Sequence, residues 1–290
     1  MKSIGVALGA GGARGLAHII VLEAFEELGI RPSVISGTSF GAIIGAGFAA
    51  GLSSSAMKEA VQEAQVLKGK RFWNGKKRNL PIAVTFLDPT TEAGGLIKGE
   101  KFVSFLRSKI RIGRFEDLQI PLYVIATNYW KREQVVLSQG DLYQALRASY
   151  SLPALFTPVK FGKELLVDGG LMNPLPYDII KPLCDITIAI DVSVRETASK
   201  PNVRAQEILF SSYQIMQNSI LREKLKQSQP DVLIQPDIQN VRMLEFNKIN
   251  SIYQQAFSAK EELKRKLAQV LEIETKPLPF KKRFRWPWGK

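Results

Sequence analysis

Gly37-Thr38-Ser39-Phe40-Gly41 follows the pattern G-x-S-x-G, with an apolar stretch (33–36) before it and a run of small residues (40–50) after it. That is the strand, turn and helix setting in which a serine is thrust from a sharp turn as a nucleophile. Glycines are needed at 37 and 41 because side chains there collide with neighbouring backbone. Taken alone, the five residues also suit a glycine-rich turn with a serine N-cap; the flanking elements favour the nucleophile.

A serine hydroxyl needs a base, and the chain holds one histidine, His18, which precedes Ser39. One known triad order places the histidine after the serine. The other two need an aspartate before His18 or between it and Ser39, and the first aspartate is Asp88. Those three orders are excluded. A glutamate could formally take the aspartate's role, but Glu23, Glu26 and Glu27 read as the solvated side of the helix that carries His18. His18 itself aligns with Leu22 and Phe25 and reads as packed. Ser55-Ala56-Met57-Lys58 matches S-x-x-K, yet neither S-D-N nor K-T-G completes it. A carboxylate remains. Asp168 ends the apolar run 165–167 and precedes Gly169 and Gly170, which is also the signature of an ordinary turn. Asp191, ending the apolar run 186–192, is its rival.

Residues 9–15, Gly-Ala-Gly-Gly-Ala-Arg-Gly, follow the first apolar run and open a helical one, so their amides converge where an anion is stabilised. As a dinucleotide fingerprint the segment fails, since Arg14 stands where a glycine is required, and no G-K-[ST] makes it a P-loop. As an oxyanion hole it fits, with amides from Gly11, Gly12 and their neighbours Ala13 and Arg14. The Arg14 side chain is expected to tie this loop to nearby carbonyls and not to touch substrate.

The elements that must position these groups alternate. Strands are expected at 3–8, 33–36, 121–127 and 186–192. Helices are expected at 14–28, 40–50 and 205–226, with a last one opened by Ser258 and Glu261 in a capping box. The central strands are apolar almost throughout, as in a parallel sheet covered on both faces, and the pattern is that of an α/β layered fold. The uncharged run 32–57 is long enough to cross a bilayer, but its glycines, serines and elbow argue against a spanning helix. Residues 1–13 resemble a short signal peptide only until the glycines and Arg14 interrupt them.

Composition excludes several classes. With 290 residues and 45% hydrophobic content the chain can bury a sizeable core. One cysteine, Cys184, removes any intrachain disulfide framework and any multi-thiolate zinc site. The net charge of +13 is concentrated, because residues 66–80 and 276–290 each carry six cations and no acid. Phe72 and Trp73 lie in the first stretch, and Phe280, Phe284, Trp286 and Trp288 in the second. Cations with aromatics suit an anionic bilayer surface; a solvated loop and nucleic-acid binding are the competing readings.

Four blocks together resemble the bacterial patatin-like phospholipase family. They are Gly11 to His18, Gly37 to Gly41, Ala148-Ser149 with Leu152-Pro153 and Phe156, and Asp168-Gly169-Gly170 with Asn173-Pro174. The resemblance covers about residues 3 to 270 and departs at Ala10, where many members have a third glycine. It implies a three-layer α/β/α fold with a mainly parallel central sheet and a Ser39 nucleophile with Asp168 as its base. His18 has no catalytic role in that pattern. The implied reaction is hydrolysis of acyl esters of phospholipids or lysophospholipids through an acyl-enzyme, without metal or organic cofactor. The expected organisation is a catalytic domain over 1–275 and a basic aromatic tail over 276–290. The expected location is cytoplasmic, with peripheral contact to the inner membrane face and no nucleic-acid partner. A non-catalytic basic protein binding membrane or nucleic acid is the alternative.

Overall fold

A computed structural model describes residues 2–66, 88–90, 95–194, 203 and 205–271. The basic stretch from residue 67 to 80, the segment 276–290 and the expected boundary at 275 lie outside the described residues. In chain order the described elements are β1 (Ile4–Leu8), α1 (Ala17–Glu27), β2 (Val34–Thr38), α2 (Phe40–Ala49), α3 (Ser54–Val66) and α4 (Glu100–Ile110). They continue with β3 (Leu122–Asn128), β4 (Glu133–Leu137), α5 (Leu142–Ser149), β5 (Val159–Phe161), β6 (Glu164–Asp168) and α6 (Tyr177–Ile180). The last are β7 (Ile186–Ile190), α7 (Ala205–Gln227), β8 (Val232–Ile234) and α8 (Ile249–Val270).

Strands β3, β2, β1, β7 and β8 lie side by side and all parallel. Every residue of β1, β2 and β7 is buried, and alternation along them divides the core. Val6, Leu8, Ile35, Ile188 and Ile190 face a layer containing α1, α2 and α8. Ala7, Val34 and Ala189 face the layer of α6 and α7. Since successive side chains of a strand point to opposite faces, the result is the three-layer α/β/α arrangement.

The antiparallel strands carry a consequence for the site. Ile125 of β3 pairs with Thr38 of β2 and with Val136 of β4, while the next residue, Ala126, pairs with Asp168 of β6 and with Val135 of β4. A strand has two sides, and β4 occupies one from Val124 to Asn128. Strands β2 and β6 must therefore share the other side end to end, running toward each other, with Thr38 and Asp168 at the junction.

Two expected helices differ in extent. Residues 12–16 form a 3-10 turn before α1 begins at Ala17, because Gly12 adopts φ +56° and the Ala13 amide bonds Met243 O instead of an intrahelical acceptor. The last helix starts at Ile249, not Ser258. A capping box works only at free amides, and the buried stripe of Ile252, Ala256, Ala259, Leu263 and Leu267 runs through Ser258 without a break. The uncharged run 32–57 is divided by the elbow into β2 and α2, and no helix among the described residues is long and apolar enough to cross a membrane.

Helix α8 lies across α1. Glu23 and Glu27 are held by Lys260 at 3.3 and 2.7 Å, Glu27 also by Lys264 at 2.6 Å, and Glu26 accepts the Ser54 amide. Glu23 is paired with Lys58 as well, so these acids join helices, and none of these bonds is to His18, whose Nε2 is bonded to Gly9 O. Leu263, 0% exposed in this interface, should cost about 2–5 kcal/mol when changed to Ala. The denaturant midpoint at constant m-value measures this; a cost below about 0.5 kcal/mol, typical of surface positions, would contradict the packing.

Candidate active site

Ser39 caps α2 with φ +55° and ψ −122°, a backbone region that costs a residue with a side chain about 1–3 kcal/mol. The surroundings hold it there. A Cβ on Gly37 would lie 2.6 Å from Ala42 Cα, and one on Gly41 would lie 2.3 Å from Leu8 O, so neither flank tolerates a side chain. The Ser39 N–H donates to Ser149 Oγ at 2.8 Å and Thr38 Oγ1 donates to Asn173 O at 2.8 Å. Blocks far apart in the chain thus converge on one turn.

The Ser39 hydroxyl donates to Asp168 Oδ2 at 2.7 Å. The other oxygen, Oδ1, accepts the Gly170 N–H at 2.7 Å and the Tyr213 hydroxyl at 3.0 Å. Asp168 is 2% exposed. Desolvation outweighs the three hydrogen bonds and raises its pKa from 3.8 to about 6. The glycines after it are set by close approach: a Cβ on Gly169 would meet Ile125 O at 2.2 Å, and one on Gly170 would meet Gln217 Nε2 at 2.0 Å. Tyr213 and Gln217, one turn apart on α7, escape sequence reasoning. Their i, i+4 spacing is ordinary for a helix, and only the fold brings them 45 residues or more from Asp168 in sequence onto its turn.

Asp191 is committed elsewhere, accepting the Ser193 amide and Gln235 Nε2, each at 2.9 Å. His18 is fully buried, and burial holds its pKa down at about 4, so it is neutral at pH 7. Its Nε2 lies 2.8 Å from Gly9 O. A carbonyl can only accept, so Nε2 carries the proton and the ring pins the glycine loop.

Of the four amides expected at the oxyanion site, two are engaged. The Ala13 N–H donates to Met243 O at 2.7 Å and the Arg14 N–H to Gly11 O at 3.3 Å. The Gly11 and Gly12 amides have no backbone acceptor among the described residues, and both residues line the same cavity as Ser39. The Arg14 side chain is 1% exposed and donates to Val192 O at 3.0 Å and Val241 O at 2.9 Å. Burial lowers its pKa to about 10, and it stays charged at pH 7, tying the loop to carbonyls.

The cavity, roughly 200 Å³, runs from Ser39 and Asp168 across α2 toward α3 and α4. Its wall is almost wholly apolar, including Ile43, Met57, Phe102, Leu106 and Phe156. Among the described residues no cluster of His, Cys, Asp or Glu could hold a metal ion.

A family model described as Patatin-like phospholipase matches residues 6–180. The chain belongs to the patatin-like phospholipase family. An uncharacterised NTE family protein of Mycobacterium bovis is 33% identical over 208 residues, covering 70% of this patatin-like chain and 54% of the relative. The lysophospholipase NTE1 of Kluyveromyces lactis is 27% identical over 283 residues, 89% of this chain and 19% of the relative. The chain thus spans about half the length of the first relative and a fifth of the second. The crystal structure of VipD from Legionella pneumophila shares the fold, with a TM-score of 0.51 and 16% identity over 91% of this chain and 67% of that one.

Burial of Asp168 has a thermodynamic signature. Because its folded pKa is raised, its contribution to stability is full below the unfolded value near pH 4 and is lost as pH rises through about 6. The shift corresponds to about 3 kcal/mol. Asp168→Asn, which cannot ionise, should therefore be more stable than the parent at pH 7 by up to that amount and equally stable at pH 4. Thermal unfolding at the two pH values measures this; a variant less stable at pH 7 than at pH 4 relative to the parent would contradict it.

Proposed function

We propose that this patatin-like protein is a lipid acyl hydrolase in which Ser39 is the nucleophile and Asp168 its base, acting on phospholipids or lysophospholipids. The observation that carries the reading is the 2.7 Å hydrogen bond from Ser39 Oγ to Asp168 Oδ2 at the end of an apolar cavity. Such a cavity suits an acyl chain, whose burial is favourable at roughly 0.8 kcal/mol per methylene.

Ser39 Oγ attacks the ester carbonyl as its proton passes to Asp168 Oδ2. The carbonyl oxygen gains the negative charge and is met by the Gly11 and Gly12 amides. When the tetrahedral adduct collapses, the carbon–oxygen bond to the alcohol breaks and that alcohol takes the proton from Asp168. Water then attacks the acyl-enzyme, giving a proton to Asp168, which returns it to Ser39 Oγ as the fatty acid leaves. A carboxylate is a weak base, so burial that lifts it to about 6 matches it better to neutral pH, and stabilisation of the oxyanion supplies much of the rate. His18 and the Arg14 side chain act by holding the loop. Residues 1–275 form the catalytic domain in this reading, and the basic aromatic segments 66–80 and 276–290 bring it to anionic lipid from the cytoplasmic side.

Ser39→Ala should abolish hydrolysis of a soluble short-chain ester while the protein stays folded. Asp168→Asn should lower the rate at least about a hundredfold. The acid limb of kcat/KM should fall near pH 6, the value of Asp168. Tyr213→Phe, which removes a bond that favours the carboxylate, should move that limb to higher pH. Near-parental activity of Ser39→Ala, or damage from Asp191→Asn instead of Asp168→Asn, would overturn the assignment.

A further inference from the structure

The two turns that project past the Asp168 end of β3 carry exposed aromatics and cations. Beyond Ala126, the residue level with Asp168, β3 continues through Asn128 to Tyr129, Trp130, Lys131 and Arg132 before β4 returns. At about 3.3 Å per residue, β3 runs roughly 7 Å beyond the level of Asp168 to Asn128, and Trp130 lies in the turn past that end. Beside it β5 and β6 turn at Gly162 and Lys163. The Tyr129 N–H donates to Leu165 O at 2.8 Å, and Leu165 pairs with Lys160, so the two turns emerge at one level.

Trp130 is 69% exposed, with its ring edge-on to Tyr129 at 4.8 Å. Lys131 is paired with Glu164 at 2.8 Å and Glu133 at 3.6 Å. Arg132, Lys160 and Lys163 are exposed and enter no ion pair among the described residues. The turns therefore present a surplus of positive charge around a large indole. On the Asp168 side, Met172, four residues after Asp168, and Ile215 and Met216 on α7, whose Tyr213 reaches Asp168, are exposed as well. An indole ring settles at the headgroup level of a bilayer, and unpaired cations are drawn to anionic headgroups.

We propose that the Tyr129 to Arg132 turn, with the Lys160 to Lys163 turn beside it, docks on a phospholipid bilayer that carries anionic headgroups and sets the Ser39 end of the cavity against it. This rests on the lipid-hydrolase reading of the site for its purpose, but not for its test. The surface is distinct from the basic segments 66–80 and 276–290.

The test uses the full chain with Ser39→Ala, so that lipid is not consumed, and with Trp73, Trp286 and Trp288 changed to Phe, which leaves Trp130 as the only one of four tryptophans. Vesicles of phosphatidylcholine containing phosphatidylglycerol should shift Trp130 emission to the blue, and acyl-brominated lipid should quench it. In the otherwise native chain, Trp130→Ala with Arg132→Ala should weaken vesicle partitioning at least about fivefold. Turnover of vesicle substrate should fall in parallel, with turnover of a soluble short-chain ester unchanged. Co-sedimentation with vesicles while Trp130 emission neither shifts nor is quenched would overturn the proposal, as would equal partitioning of the double variant. Failure of the hydrolase reading registers separately, as absence of soluble-ester turnover by the chain that retains Ser39.

Discussion

The proposed mechanism depends on one constraint: a carboxylate must be close enough to Ser39 to accept its proton, yet dry enough to be a useful base. Asp168 meets both conditions at once. Its Oδ2 lies 2.7 Å from the serine hydroxyl, and its burial, opposed by only three hydrogen bonds, lifts its pKa to about 6. An adjacent cation would have cancelled that gain by favouring the charged form. Arg14, in the glycine loop beside the site, is instead spent on the carbonyls of Val192 and Val241.

Bringing two strand tips together is the work of β3. Because β2 and β6 share one side of it end to end, the registers Thr38 to Ile125 and Asp168 to Ala126 fix the spacing of elbow and carboxylate through backbone hydrogen bonds. Gly37, Gly41 and Gly169 then let the turns close against backbone atoms at distances that exclude a Cβ. The strained backbone of Ser39 persists because these contacts over-determine it. The same extension of β3 that positions Asp168 ends in the exposed Trp130 turn, so the register that brings Ser39 and Asp168 together and the proposed docking surface share one strand.

Much of this was legible in the sequence for local reasons. The elbow is five residues long and its strand and helix adjoin it. The absence of a second histidine is visible by inspection, and the apolar central strands announce a covered parallel sheet. What escaped depends on contacts distant in the chain. Tyr213 and Gln217 lie on a helix whose composition says nothing of Asp168. The engagement of the Ala13 amide by Met243 O involves residues 230 apart, so the loop alone could not show which of the four candidate amides are already bonded. The start of α8 was missed because Ser258 and Glu261 carry a local capping pattern that the continuous buried stripe from Ile252 to Leu267 overrides.

The most direct measurement is the rate at which a fluorophosphonate labels the intact protein, followed by mass and peptide mapping across pH. With Ser39 as nucleophile and Asp168 as base, one adduct is expected, on Ser39, forming faster as pH rises through about 6, the value for Asp168. Asp168→Asn should be labelled at least about a hundredfold more slowly. An adduct on another residue, or labelling of Asp168→Asn at the parental rate, would contradict that assignment.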